Sequence, residues 1–142
     1  MVVKTYRGQI PNDGEDRIRL STIRGKVGYK IVKFQIMPQD PTGSNIESVV
    51  GIWKTTQTPS AIIDFTNSDM LAMAYYSGSS GASGPQDMIV VFDNEIFNQD
   101  IFISLNDNSS APTPINYYIE LEVIPLDDAG AEYTTLKDMR QT

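Results

Sequence analysis

Hydrophobic and polar residues alternate with a period of two along two segments in the last third of the chain, Asp100–Leu105 and Ile115–Ile124. The odd-numbered residues of the second segment are all aliphatic or aromatic up to Val123, and the even-numbered ones include Glu120 and Glu122. Successive side chains of a β-strand point to opposite faces of its sheet, so each segment predicts a strand with one dry and one wetter face. We therefore expect two consecutive antiparallel strands here.

Six further segments carry strand patterns, which gives about eight strands in total. The first three predict a meander, and the alternation changes phase near Ile31-Val32, which indicates either a β-bulge or a strand buried on both faces. Asn67–Tyr76 is ambiguous, because a capped helical turn and an extended segment both fit its residues. The six segments are Val2–Arg7, Arg17–Ile23, Val27–Met37, Ser48–Lys54, Ala61–Phe65 and Met88–Asp93.

Turn-forming residues separate these segments at short intervals, and little of the chain has a helical pattern. This organisation is typical of an all-β fold, and we predict an antiparallel β-sandwich of jelly-roll type over residues 1–126. Residues 127–142 predict a short amphipathic C-terminal helix, in which Leu136 and Met139 share a face. Lys137 and Arg140 lie near its C-terminal end, where the helix dipole favours cations. The Gly/Ser-rich segment Ser77–Pro85 predicts an exposed loop.

Composition excludes several classes of function. The chain has 142 residues, enough for one domain, and it contains no histidine and no cysteine. Ser-His-Asp and Cys-His catalysis and zinc sites built on imidazole or thiolate are therefore excluded. A net charge of −7, with no basic cluster, argues against nucleic acid and anionic membranes as partners. The residues from Met1 to Lys4 do not begin a signal peptide, and no apolar run is long enough for a membrane-spanning helix.

Carboxylates offer the remaining candidate chemistry. Glu120 and Glu122 project from the same face of one strand, at a spacing of about 7 Å that a glycosidase pair could use. The alternative is a solvated outer stripe, which we favour because the sequence has no cluster of aromatic residues to hold a sugar. Two oxygen-rich turns, Asp93–Asp100 and Asn106–Asn108, could hold Ca²⁺, but neither matches a defined calcium loop. Turn formation explains their short polar residues equally well.

Contact with a partner is the other kind of site that the sequence indicates. Trp53 is a candidate surface anchor, although a lone tryptophan in a β-rich domain is more often packed in a core or at its rim. Tyr75-Tyr76 and Tyr117-Tyr118 each place one ring on either face of a strand, so one member of each pair should be exposed. Tyrosine is favoured at interfaces. The candidates for partner contact are Trp53, Tyr76, Tyr118, Leu136 and Met139.

Three segments of the C-terminal third carry a family resemblance. Phe92–Ile103 (FDNEIFNQDIFI), Ile115–Val123 (INYYIELEV) and Thr135–Arg140 (TLKDMR) resemble small structural proteins of marine tailed phages, in which a β-sandwich ends with a short helical tail. The resemblance implies a role at the capsid, as a decoration or minor capsid protein. It also implies location in the virion after synthesis in the host cytoplasm.

The leading hypothesis is accordingly a virion structural protein without enzymatic activity or cofactor. It would bind the major capsid protein or other virion proteins and form a homo-oligomer. The alternative is a carbohydrate-binding or receptor-binding β-sandwich module of a viral or bacterial adhesin, with Trp53 as the sugar-contacting residue. A hydrolase using Glu120 and Glu122 is a third hypothesis.

Truncation of the tail tests the two-part organisation. An isolated helix of this length is marginal in water, and its few apolar residues would contribute roughly a few kcal/mol at most when buried. Deleting Ala131–Thr142 should therefore preserve the far-ultraviolet circular dichroism of a folded β domain while weakening oligomerisation or particle binding. Unfolding of the truncated chain would instead place the tail in the domain core.

Overall fold

The computed structural model describes residues 2–20, 27–40, 46–78, 87–108 and 113–126. These residues form eight strands and contain no helix. The predicted C-terminal helix and most of the predicted loop Ser77–Pro85 lie outside them. In chain order the strands are β1 (Val2–Ile10), β2 (Glu15–Ile18), β3 (Val27–Pro38), β4 (Ile46–Trp53), β5 (Met70–Gly78), β6 (Asp87–Phe92), β7 (Ile101–Asp107) and β8 (Ile115–Pro125).

The strands form two sheets in which all pairs are antiparallel. One sheet has three strands in the order β1-β8-β3, and the other has five in the order β2-β7-β4-β5-β6. The predicted meander of the first three strands is wrong, because β1 and β3 both pair with β8 while β2 pairs with β7. β7 and β8 likewise belong to different sheets and do not pair with each other. Alternation identifies the faces of a strand but not its neighbours.

One buried cluster joins the two sheets. The inward residues of β8 supply Ile119 and Leu121, which are fully buried, and those of β7 supply Ile103 and Leu105. Residues of β1 to β5, together with Leu20 and Phe97, complete the cluster, so the core lies between the sheets. The alternation predicted for β7 and β8 is confirmed by this burial.

One local prediction from the sequence is confirmed and another is wrong. The register of β3 against β8 shifts between Ile31 and Lys33, which confirms the predicted bulge. The predicted strand Ala61–Phe65 is wrong, because these residues are exposed and form no strand. In the ambiguous segment Asn67–Tyr76 a strand begins at Met70. It follows a turn in which Asn67 Oδ1 accepts a hydrogen bond from the Asp69 N–H.

The segment between β6 and β7 ties the two sheets together. Tyr29 of β3 and Phe97 exchange two backbone hydrogen bonds of 2.7 and 2.9 Å, and the Phe97 side chain is buried. In the same segment Glu95 lies 2.6 Å from the buried Lys54 ammonium at the end of β4. A buried charge is costly unless it is paired, so this ion pair keeps the end of β4 in place. The Gly28 backbone passes so close to Ile96 that an added Cβ would lie 2.7 Å from it.

Tyr117 of β8 connects the three-stranded sheet to β2 of the five-stranded sheet. The Tyr117 hydroxyl donates a hydrogen bond of 3.2 Å to Asp16 of β2, and its ring crosses Gly8 of β1, where an added Cβ would lie 2.6 Å from the hydroxyl oxygen. Burial raises the pKa of Tyr117 to about 12, and the charge of Asp16 and the hydrogen bond to it act in the same direction.

This raised pKa predicts a loss of stability at alkaline pH. The pKa of a tyrosine in an unfolded chain is about 10. Tyr117 therefore contributes its full share of stability below about pH 10, and that share is lost as the pH rises to about 12. We expect the free energy of unfolding, measured by urea denaturation, to fall across this window.

Tyr117→Phe is the control, because phenylalanine cannot ionise. The fall should be smaller in this variant, although some should remain because burial also raises the pKa of Tyr6. An equal fall in the wild-type chain and in Tyr117→Phe would contradict the prediction.

Candidate functional site

The outward side of the five-stranded sheet carries an apolar surface. Alternate residues of β4, β5 and β6 point away from the core here, and most of them are apolar. In the register Met73 lies opposite Val91, and Tyr75 lies opposite Ile89. Ile63 and Phe65 belong to the segment that joins β4 to β5, and they approach the same surface. Together with these four residues they line a cleft of about 400 Å³. We call these six residues the apolar face.

A second buried cluster supports the apolar face from one side. It consists of Val49, Trp53, Met70 and Met73, with Tyr75 packed against it. The Trp53 indole lies across Gly51, where an added Cβ would be 2.5 Å from Nε1, and Nε1 donates a hydrogen bond of 2.9 Å to Ser104 Oγ of β7. Gly51 is thus needed because the ring occupies the space of its side chain. The supporting side of the surface is rigidly packed.

The opposite side of the apolar face is open. The exposed fraction is 63% for Phe65, 61% for Ile89 and 42% for both Ile63 and Val91. Neighbouring Ile62 is 76% exposed. Single exposed apolar side chains are ordinary, but a contiguous group of them marks a site of interaction with another molecule. This concentration on one sheet is the strongest indication of a functional surface among the described residues.

A carboxylate lies beside the apolar face. Asp64 stands between Ile63 and Phe65 in the chain and is exposed. Its Oδ1 accepts hydrogen bonds from the hydroxyl and from the backbone N–H of Thr66, at 2.6 and 2.9 Å, and these bonds lower its pKa. The carboxyl is therefore charged at neutral pH and gives the rim of the apolar face a negative charge.

The outward side of the three-stranded sheet is different, because most of its side chains are polar and Met37 is the exposed apolar exception near the end of β3. Arg7 and Gln35 lie on either side of Tyr118 in the register, and Gln9 and Asn116 form the next row. These five residues, with Met37, Met88 and the Gly8, Ile36 and Tyr117 positions, line a cleft of about 680 Å³, which we call the polar cleft. Gln9 Nε2 donates a hydrogen bond of 3.0 Å to Asn116 Oδ1.

Charged pairs continue along the same side beyond the polar cleft. Lys30 lies 3.5 Å from Glu122, and Lys33 lies opposite Glu120 with its ammonium 5.7 Å from the Tyr118 ring. Glu120 and Glu122 thus share a surface stripe with lysines and line neither cleft. The predicted outer stripe is confirmed.

The residues predicted to contact a partner fall in different places. Trp53 and Tyr76 are both 8% exposed, Trp53 beneath the outward side of the five-stranded sheet and Tyr76 in the core. The exposed ring of the first tyrosine pair was therefore predicted wrongly, since Tyr76 faces inward and Tyr75 is half-buried on the outward side. Tyr118 is half-buried in the polar cleft. Leu136 and Met139 lie outside the described residues, and contact of all five with a partner stays a prediction.

The residues of the apolar face were not singled out from the sequence. A signal was present in the strongly apolar strand that follows the Gly/Ser-rich segment, but the same pattern fits a strand that is buried on both sides. The apolar residues from Ile62 to Phe65 likewise predict a strand, whereas the structure leaves them exposed and without one.

The oxygen-rich turns hold their neighbours in place. Asp100 accepts hydrogen bonds from Arg17 and from the Leu20 N–H, both 2.8 Å. Asp107 accepts one of 3.0 Å from the Thr113 N–H. In the described part of the chain no three Asp, Glu, His or Cys side chains come together as a metal site. These contacts fit the interpretation that the short polar residues serve turn formation.

Comparison with known proteins adds no relative. No model of a known protein family matches the chain, and no curated protein matches it at a significant level. A search of the described ranges for a helix long and apolar enough to cross a membrane also finds none.

Proposed function

We propose that this chain is a capsid-associated structural protein of a virus particle, of the decoration or minor capsid type, without enzymatic activity. In this proposal the eight strands form a β-sandwich of jelly-roll type. The partner is the major capsid protein or another virion protein, and copies of the chain also form a homo-oligomer. The protein is made in the host cytoplasm and resides in the virion.

The observation that carries the proposal is the apolar face. Four of its side chains are more than 40% exposed, and they surround a cleft with a well-packed base. Burying such a surface against another protein removes apolar area from water, which contributes about 25 cal/mol for each Å². The resemblance of Phe92–Ile103 and Ile115–Val123 to phage structural proteins supports a capsid as the place where it is buried.

Incorporation into particles tests the proposal. Particles are purified from host cells that make a tagged wild-type chain, and the number of copies is measured by quantitative mass spectrometry. The wild-type chain should be present in many copies. Ile89→Lys should reduce incorporation by about tenfold or more, because a charge buried without a partner in an interface costs roughly 2–5 kcal/mol.

The control is Thr5→Lys, which adds the same charge at an exposed strand position of the other sheet. Both variants should unfold at about the wild-type urea concentration, since surface substitutions usually change stability by no more than about 0.5 kcal/mol. Absence of the wild-type chain from particles, or equal incorporation of the two variants, would refute the proposal.

The polar cleft favours carbohydrate binding as a second candidate function. Gln9, Gln35 and Asn116 can both donate and accept hydrogen bonds, as sugar hydroxyls do, and the Tyr118 ring offers an apolar surface for a pyranose ring. The cleft volume of about 680 Å³ is within the range of small-ligand sites, roughly 300–1,000 Å³. Tyr118 replaces Trp53 as the aromatic residue of this candidate, because the Trp53 indole is buried.

A glycan array, probed with the full-length chain in the presence and absence of Ca²⁺, tests this candidate. Tyr118→Ala should weaken binding to any retained glycan by about tenfold, because an aromatic surface is lost. Tyr75→Ala is the matched control, since Tyr75 is a half-buried tyrosine of the other sheet. Failure to bind any glycan, or equal binding by the two variants, would remove this candidate.

A further inference from the structure

The two sheets have four edge strands, and three of them carry features that prevent pairing with another chain. β1 contains Lys4 and Arg7, and β2 has only four residues, three of them charged. β3 contains Lys30 and Lys33 and the bulge between Ile31 and Lys33. Charges, short length and bulges are the devices by which natural proteins keep edge strands from adding further strands.

β6 is the fourth edge strand, and beyond Asp87 at its first position it has none of these features. From Met88 to Phe92 it contains no charged residue, proline or glycine. Met88, Ile89, Val91 and Phe92 are exposed, and only Val90 is half-buried. The backbone of these five residues pairs with β5 on one side, and no other described segment bonds to it. Among the described residues its outer N–H and C=O groups therefore have no backbone partner, and they form a template for a further strand beside the apolar face.

The charges near β6 decide which kind of strand fits this template. Asp87 and Asp93 stand at its two ends. Between Lys54 and Lys137 the sequence contains no lysine or arginine, so every charged residue on β5, β6 and β7 and in the segments that join them is acidic. A strand that carries positive charges beyond its apolar residues would thus meet opposite charges at both ends.

A second copy of the chain fits less well. An antiparallel pair of β6 strands that aligns Met88–Phe92 of one copy with the same residues of the other would place Asp87 opposite Asp93. Two-fold symmetry repeats this contact at the other end of the pair. Like charges directly opposite each other destabilise a strand pair.

We propose that β6 binds an extended segment of a partner protein, which adds to the five-stranded sheet as a sixth strand. The segment has about five apolar, strand-favouring residues flanked on both sides by lysine or arginine. Backbone hydrogen bonds hold such a segment in place, and its outward side chains contact Ile89 and Val91 of the apolar face. The inference rests on the proposed function, because it describes how a virion partner is bound.

Three synthetic peptides test the inference against the full-length chain, with binding measured by fluorescence anisotropy at low salt. The first is Lys-Lys-Val-Ile-Val-Ile-Val-Lys-Lys with blocked ends. The second replaces every lysine by glutamate, and the third is the first with the backbone nitrogens of all five central residues methylated, so that neither edge of the peptide can donate a hydrogen bond. The first should bind saturably, the second about tenfold more weakly, and the third not detectably. The difference between the first two should shrink at high salt.

Variants of the chain locate the binding site. Ile89→Lys should weaken binding of the first peptide by about tenfold, because it places a positive charge beside the positively charged peptide. Thr5→Lys, which carries the same charge on the other sheet, should bind as the wild-type chain does. Equal binding of the lysine and glutamate peptides, or unchanged binding of the methylated peptide, would overturn the inference. No binding by the intact chain would do the same, since the edge would then be covered by the chain itself.

Two further measurements distinguish strand addition from dimerisation through β6 and from the proposed function. Sedimentation compares the oligomeric state of the wild-type chain with that of Ile89→Lys, and we expect the two to be the same. A wild-type dimer that Ile89→Lys abolishes would mean that β6 binds a second copy of the chain, which would overturn the inference. Peptide binding without incorporation into particles would support strand addition and refute the proposed function. Incorporation that depends on Ile89 without peptide binding would support the proposed function and overturn strand addition.

Discussion

The inward-facing side chains of β7 and β8 pack into one core although the two strands belong to different sheets, and the other strands are arranged around this contact. Ile103 and Leu105 on one side and Ile119 and Leu121 on the other are fully buried. β8 lies at the centre of its sheet with β1 and β3 on its flanks, and β7 lies between β2 and β4. Because a one-residue slip of either strand would turn its apolar residues toward water, this contact constrains the register of both sheets.

The two outward sides of the fold differ in chemistry, and this difference underlies the functional argument. The three-stranded sheet presents lysine and glutamate pairs and a cleft lined by the amide side chains of Gln9, Gln35 and Asn116. The five-stranded sheet presents the apolar face and ends in an edge strand that has no charged residue from Met88 to Phe92. An isolated protein gains nothing in stability from such an exposed surface. A protein that binds other proteins can bury such a surface in the interface.

Sequence patterns predict those parts of the structure that depend on a single strand. The alternation from Ile115 to Val123 reports which side chains face the core, and the phase change near Ile31 reports the bulge. The patterns do not report which strands pair, because Ile103 and Ile119 would look the same in one sheet or in two. They also do not separate an exposed apolar strand from a buried one, so Ile89 and Val91 were missed. Tyr76 and Tyr75 were exchanged because alternation alone does not say which of two aromatic faces is the inner one.

The pairing of β1 with β8 has a mechanical consequence. Val2 lies opposite Val123, so the first residues of β1 and the last residues of β8 are side by side at one end of the three-stranded sheet. In an antiparallel pair the hydrogen bonds run perpendicular to the strands. A force that draws these two ends apart would act on one hydrogen bond at a time, so the bonds between β1 and β8 would break in sequence from that end. Resistance to tension along this direction would have to come from contacts outside this strand pair, such as the packing of Ile10 in the core.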